Sequence, residues 1–438
     1  MGANDLKAQE LRAFLRRRGP LAGGELKDLL KISQPSLSRL LKGMPDILVI
    51  GETKNRKYAH SRSNDNYPIV RVDESGDIRP LGKLHLLEPK GAAFVPIVGT
   101  NLKPQIYGDI PYFIWDLRPQ GFLGKIFIAQ NSDLEFPERW EDWKEQDLYR
   151  ALNIRGDELV GNLVIGQESL TLVQTKKYEP LLEANRRQEY PKIADQTLEG
   201  FFVGSSAGGE QPKFTTVLKT ATNIRHAIVK FSPPINTEAG RRWADLLFAE
   251  ELALRILREQ GVSAAPAEAI EAGNRVFLEV DRFDRIGTKG RRGILSLGAV
   301  DDELVGSRKD WTTTAIRLQE QKVLKANDVE TIIFLDCFGA LIANTDRHFG
   351  NLSLYWELGA TSHTLAPVYD MLPMSYAPTQ GNIVKREFKA PAPRFEQINI
   401  WKKALPLAVN YWNLLAADRR VSAEFSEIAA NNAKLLVT

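Results

Sequence analysis

Leu341-Ile342-Ala343-Asn344-Thr345-Asp346-Arg347-His348-Phe349-Gly350-Asn351 crowds six polar or charged side chains into eleven residues. Upstream, Ile332, Ile333, Leu335, Phe338 and Leu341 recur at helical spacing, so an amphipathic helix leads into the stretch. Downstream, residues 352–356 form an apolar run that reads as a strand. A polar loop set between a buried helix and a buried strand is seldom a product of chance. The loop is therefore the first candidate for chemistry.

Asp346 and Asn351 stand five residues apart. That is the spacing of protein-kinase catalytic loops, in which the aspartate takes the proton of the attacking hydroxyl and the asparagine binds Mg²⁺. The neighbouring order differs, because here Arg347 and His348 follow the aspartate. Nineteen residues beyond Asn351, Asp370 follows another apolar run and is placed to be a second Mg²⁺ ligand. A solvated turn aspartate is the plain alternative. Lys230 closes the run Ala227-Ile228-Val229, and lysine is almost never fully buried without a partner. It can reach nucleotide phosphates and pair with Glu250 or Glu251 of a long helix expected over 237–260. An edge-strand lysine with its ammonium in water would look the same. Gly204-Ser205-Ser206-Ala207-Gly208-Gly209-Glu210-Gln211-Pro212-Lys213 has glycines that let backbone N–H groups close on an anion. Glu210 stands where a Walker lysine should be, which excludes a P-loop NTPase.

From residue 68 onward, these segments in this order resemble HipA-type serine/threonine kinases, the toxins of bacterial toxin–antitoxin systems. The resemblance rests on residues 206–213, 227–231, 267–275, 278–285, 344–351 and 366–372, with 117–124 similar to the family's amino-terminal lobe. It implies an α+β, two-lobed, protein-kinase-like fold that uses ATP and Mg²⁺. The γ-phosphate would pass to a serine or threonine of a protein substrate, such as an aminoacyl-tRNA synthetase. Asp346 would be the catalytic base, and Asn351 and Asp370 the metal ligands. Lys230, Gly208 and Gly209 would hold nucleotide phosphates, with His348 in a structural or phosphate-contacting role. Asp281 and Phe283 would lie in the hinge beside adenine, Asp284 near the ribose, and Ser206 would be autophosphorylated. Asp281 departs from the family, which has glutamate there.

The first 62 residues carry 13 Lys and Arg against 6 Asp and Glu, whereas the remainder carries 45 against 49. A basic head on a mildly acidic body suggests a nucleic-acid module. Its pattern gives a helix ending at Arg16-Arg17-Arg18-Gly19-Pro20, a second over 25–30, and a third over 35–42 with Pro35 in its first turn. Strands over 47–50 and 56–59 follow, making a winged helix-turn-helix. Gln34, Ser36, Ser38, Arg39 and Lys42 would face the major groove of double-stranded DNA, and Lys54, Arg56 and Lys57 would bind phosphate from the wing. A protein-interaction domain of three helices is the alternative. With this head the chain is most similar to the longer HipH (YjjJ) branch of the family, in which a separate antitoxin partner is unnecessary if the head does its work.

Domains are expected at 1–62, 68–195 and 196–438. Residues 63–67 have linker composition, and 68–135 read as strand-rich, 125–129 included. Hydrophobic residues make up 43% of the 438 and charged residues 26%, an ordinary globular balance. Cys337 is the only cysteine, which excludes an internal disulfide and a cysteine zinc cage. The most apolar segment, 331–344, is broken by Asp336, and no secretory signal opens the chain, so a cytoplasmic protein without a membrane span is expected. Two rival functions stay open. One is a transcriptional regulator with an inactive kinase-like body. The other is a metal-dependent nuclease using Asp346, His348 and Asp370, which explains neither Lys230 nor the glycine-rich loop.

Overall fold

Leu11 and Leu15, one helical turn apart, are completely buried and set the inner face of α1 (Ala3–Arg18). Leu26 and Leu30 do the same for α2 (Gly23–Leu30), and Leu37 for α3 (Gln34–Leu41). Ser33 caps α3, its Oγ accepting the Ser36 N–H at 3.4 Å, with Pro35 in the first turn. β1 (Leu21–Ala22) and β2 (Ile47–Ile50) both pair antiparallel with β3 (Lys57–Val72). Tyr58, Ile47 and Met44 close the core of this three-helix head and its wing.

The structure, a computed structural model, describes residues 3–51, 55–199 and 211–437. It divides into two units, one of Met1–Asp73, Asp77–Leu117 and Lys144–Lys176, the other of Glu74–Gly76, Arg118–Trp143 and Lys177–Thr438. In the first unit β3 does not stop at the expected linker. It runs through 63–67 and pairs with β4 (Ile78–Leu87) and, near its end, with β7 (Leu163–Ile165). Composition misleads there because strand formation depends on the neighbouring strand more than on intrinsic preference. A register shift between Ser61 and Asn66 absorbs the irregularity. β5 (Ala92–Pro96) and β6 (Gln105–Tyr107) extend the sheet. α5 (Glu145–Arg155) and α6 (Gln167–Thr175) complete the unit, with Leu170 and Val173 of α6 packing on Val70, Val72 and Val164.

In the second unit, residues 125–129 are not a strand but part of α4 (Gly121–Gln130). The β-branched and aromatic run is overridden by packing: Phe127 sits beside Phe136 and Trp143, at 6.5 and 6.4 Å between ring centres. Gly124 lets the helix start tightly, since a Cβ there would lie 2.6 Å from the Pro119 carbonyl carbon.

A five-stranded sheet carries the order β11 (Ala267–Ala272), β12 (Arg275–Asp281), β10 (Ile224–Phe231), β9 (Lys213–Lys219), β8 (Leu181–Leu182). It is antiparallel except for β8 against β9. Ala227, Val229 and Phe231 pack with Tyr190 and Ala194 of α7 (Arg186–Glu199). Alternation along β10 therefore sends Lys230 to the opposite face, where α8 (Glu238–Glu259) lies. Thr237 caps α8, accepting the Gly240 N–H at 3.0 Å.

Beyond the sheet come the ladder of β13 (Arg285–Ile286) and β14 (Gly290–Arg291), and a three-stranded sheet of β15 (Ile294–Ser296), β16 (Ser353–Tyr355) and β17 (Thr364–Leu365). Of the helices that follow, α9 (Leu297–Leu304) and α11 (Ala326–Leu341) meet the three-stranded sheet, α10 (Trp311–Glu320) packs on both, α12 (Ile398–Ala417) packs on α11 and α8, and α13 (Ala423–Val437) on α12. Ile332, Leu335, Phe338 and Leu341 of α11 are completely buried, as their spacing requires. The quoted polar loop thus hangs between the end of α11 and the start of β16. Among the described residues no helix is long and apolar enough to cross a membrane.

Candidate active site

Lys230 is buried and answered twice. Its Nζ donates to both oxygens of Glu250, at 2.7 and 2.8 Å, and also to Asp370. Burial alone would lower the lysine pKa, but the two carboxylates outweigh it and raise it. Glu250 is completely buried, and that burial pushes its carboxyl pKa up against the pull of Lys230. Asp370 goes the other way, because Lys230 and then Lys213 outweigh the cost of its burial. Glu251, the other candidate on α8, is used elsewhere: it accepts the Ala269 N–H at 2.8 Å and meets Arg420 at 2.8 Å. Of the two glutamates, the structure selects Glu250.

The loop after α11 is tied by its own amides. Asn344 is buried, and its Oδ1 accepts the Asp346 N–H at 3.0 Å while its Nδ2 donates to the Asp370 carbonyl at 3.3 Å. Asn351, also buried, donates from Nδ2 to the Asp346 carbonyl at 2.8 Å. The Asp346 peptide is thereby held on both sides, while its carboxylate is half exposed. Burial and the nearby Asp370 raise the Asp346 pKa, although His348, 4.0 Å away, pulls it down. His348 itself is exposed, accepts the Gly350 N–H at 3.0 Å on Nδ1, and receives the Trp311 indole at its carbonyl at 3.2 Å. Ala343 and Asp370 both have positive φ, at 58° and 54°. Backbone in this region is uncommon for a residue with a side chain, and the surrounding structure has to hold it there.

The cluster of Lys230, Glu250 and Asp370 carries two negative charges and one positive, with Lys213 opposite Lys230 in the β9–β10 ladder. A carboxylate and an amide oxygen, from Asp370 and Asn351, are hard donors of the kind Mg²⁺ takes together with waters and phosphate oxygens. The residues present fit that ion.

Residues 63–174 match the model of the YjjJ-like toxin middle domain, and residues 205–433 that of the HipA-like C-terminal domain. Over 422 residues the chain is 36% identical to Toxin YjjJ of Escherichia coli (strain K12), a match that spans 94% of each. The chain belongs to the HipA family. Its fold resembles a chain from the Shewanella oneidensis MR-1 toxin–antitoxin complex of HipA, HipB and operator DNA, with a TM-score of 0.59 at 14% identity. That likeness covers 84% of this chain and 96% of the other.

In this HipA-family chain the expected hinge residues follow β12. Asp281 ends the strand and receives Arg225 at 2.6 Å, and its burial raises its pKa against that arginine. Phe283 packs between Tyr355 and Tyr369, at 6.2 and 5.7 Å between ring centres. Asp284 is buried and engaged at 2.8–3.0 Å by Arg282 and at 2.6 Å by Arg285. Ser206, Gly208 and Gly209 lie outside the described residues, as does Lys54 of the wing. In the head, Gln34, Ser38, Arg39, Lys42, Arg56 and Lys57 are exposed. Ser36 is half-buried and shares a 3.0 Å hydrogen bond with the Ser33 hydroxyl, so it serves the helix cap as well.

Asn344 and Arg347 have no role that the sequence alone assigns, yet both hold the loop, Arg347 by donating to Asp336 of α11 at 3.2 Å. Asn344 and Arg347 were visible inside the quoted motif, and Asp336 as the one charge in the apolar segment 331–344.

Proposed function

We propose that this chain is an ATP- and Mg²⁺-dependent serine/threonine protein kinase of the HipA toxin type, with a DNA-binding head. The observation that carries the reading is the meeting of Lys230 with Glu250 and Asp370, next to a loop that fixes Asp346 between Asn344 and Asn351. Kinases pair a strand lysine with a helix glutamate in this manner, and the lysine then serves nucleotide phosphates. Lys230 holds the phosphates, Glu250 holds Lys230 in place, and Asp346 takes the proton of the attacking hydroxyl. A raised pKa suits that role, because a stronger base receives the proton more readily. Asp370 and Asn351 hold the metal, which when bound neutralises phosphate oxygens.

The remaining assignments belong to the same proposal. Residues 1–62 bind double-stranded DNA, 68–195 form the middle lobe, and 196–438 carry the nucleotide site. Ser206 takes a phosphate from the chain's own site, and the −1.5 to −2 charge it gains, roughly, opposes ATP binding in the same loop. Phe283 and Asp281 border adenine. The HipB and operator DNA that accompany the solved HipA chain extend here to an antitoxin partner and to DNA contact through the basic head. The substrate is a protein serine or threonine, for example on a translation protein such as an aminoacyl-tRNA synthetase, and the work is done in the cytoplasm.

The test is transfer of label from ATP carrying it on the γ-phosphate, with DNA cleavage read on the same preparation. Label on serine or threonine supports the kinase. Cleaved DNA without label, or neither product, overturns it.

A further inference from the structure

Asp336 is a carboxylate within the apolar segment 331–344, on α11, and no part in nucleotide binding or phosphate transfer has been given to it. It is buried, and four side chains reach it. Thr312 donates to its Oδ2 at 2.7 Å, Gln397 at 3.1 Å and Arg394 at 3.1 Å, while Arg347 donates to its Oδ1 at 3.2 Å. Arg347 is the residue after Asp346, and its Nη1 also donates to the Asn344 carbonyl. Gly339, one turn beyond Asp336, makes room for it: a Cβ there would lie 2.6 Å from the Arg347 Cδ. Together Asp336 and Gly339 form a slot on α11 into which the arginine stem is laid. Arg394 enters from the segment after Asp370 and reaches Asp310, the cap of α10, at 2.7 Å.

We infer that Asp336 is the positioning residue of the catalytic base, acting through Arg347. The inference rests on the kinase reading of Asp346. A buried carboxylate that holds two arginines from different segments fixes where the loop can sit. The Arg347 stem then sets the direction in which Asp346 leaves the backbone. The side chains that hold Asp336 are Thr312, Arg347, Arg394 and Gln397, none of them assigned to the nucleotide, so its removal should displace the base and leave ATP binding alone. A displacement of about 1 Å can cost about 10²-fold in rate.

The experiment measures label transfer from ATP, to the chain itself and to a serine-containing acceptor peptide, in the full-length protein. Wild type, Asp336→Asn, Arg347→Lys and the double variant are compared, with the KM for ATP determined for each. Wild type should transfer label. Asp336→Asn should lose about 10²-fold in kcat with the KM for ATP unchanged. The double variant should be no worse than the poorer single one, because both changes break the same contact. If Asp336→Asn does not fold, Arg347→Lys carries the same prediction, since a lysine cannot span Asp336 and the Asn344 carbonyl together. Absence of transfer by the wild type would overturn the kinase reading. Transfer by the wild type with undiminished kcat in Asp336→Asn or Arg347→Lys, or losses that simply multiply, would overturn the positioning role alone.

Discussion

Lys230 and Arg39 are both cations that the sequence marks for use, and the fold treats them in opposite ways. Lys230 is buried and placed between two carboxylates, whereas Arg39 lies exposed on α3 with a long 3.4 Å contact to the Pro35 carbonyl. The difference follows from what each must meet. A cation that receives a nucleotide inside the protein has to be compensated before the ligand comes, or burial would discharge it. A cation that meets the phosphates of a duplex can stay in water and exchange one set of counterions for another. Stability is therefore built into the first site and absent from the second.

That contrast can be broken at its strongest point. Lys230→Ala leaves the buried Glu250 carboxylate and Asp370 without the cation between them, and breaking such a pair from one side costs about 3–5 kcal/mol. A denaturant titration should show a loss of that size, against a change within about 0.5 kcal/mol for Arg39→Ala. Equal losses would mean that the two cations are not treated differently. A smaller effect sharpens the account of the head. Arg39→Ala or Gln34→Ala should shift the preference among DNA sequences by about 1–3 kcal/mol. Arg56→Ala or Lys57→Ala should instead weaken all sequences alike and reduce the salt slope by about one unit. Fluorescence titrations over a range of salt separate the two. The least effect belongs to the cap: Ser33→Ala should cost about 1 kcal/mol of stability and DNA affinity together, by loosening the start of α3.

How much of this was legible differed along the chain in a physical way. The helices of the head and α11 could be read because their buried leucines and isoleucines recur with the helical period. The pairing of Lys230 with α8 could be anticipated, but not the choice of Glu250 over Glu251. Adjacent helix residues point about 100° apart, and only tertiary packing says which one faces β10. Residues 63–67 and 125–129 misled for a shared reason, since their local preference was decided by a partner strand and by aromatic packing that come from elsewhere in the chain. Asp336 was seen only as an interruption of apolar character. Its partners Thr312, Arg347, Arg394 and Gln397 are up to 61 residues away, so no local pattern could show that they meet.

The most direct measurement compares Asp346→Asn with wild type, reading ATP affinity by calorimetry and phosphate transfer by label, across pH. The base acts on the hydroxyl and not on the nucleotide, so affinity should hold while transfer falls by about 10²–10⁴-fold. Because burial raises the Asp346 pKa, wild-type transfer should decline on acidification at a pH above the ordinary aspartate value of about 3.9. That acid limb reports protonation of the base and should vanish in Asp346→Asn. Transfer at the wild-type rate in Asp346→Asn, with the same acid limb, would contradict the assignment of Asp346 as the base.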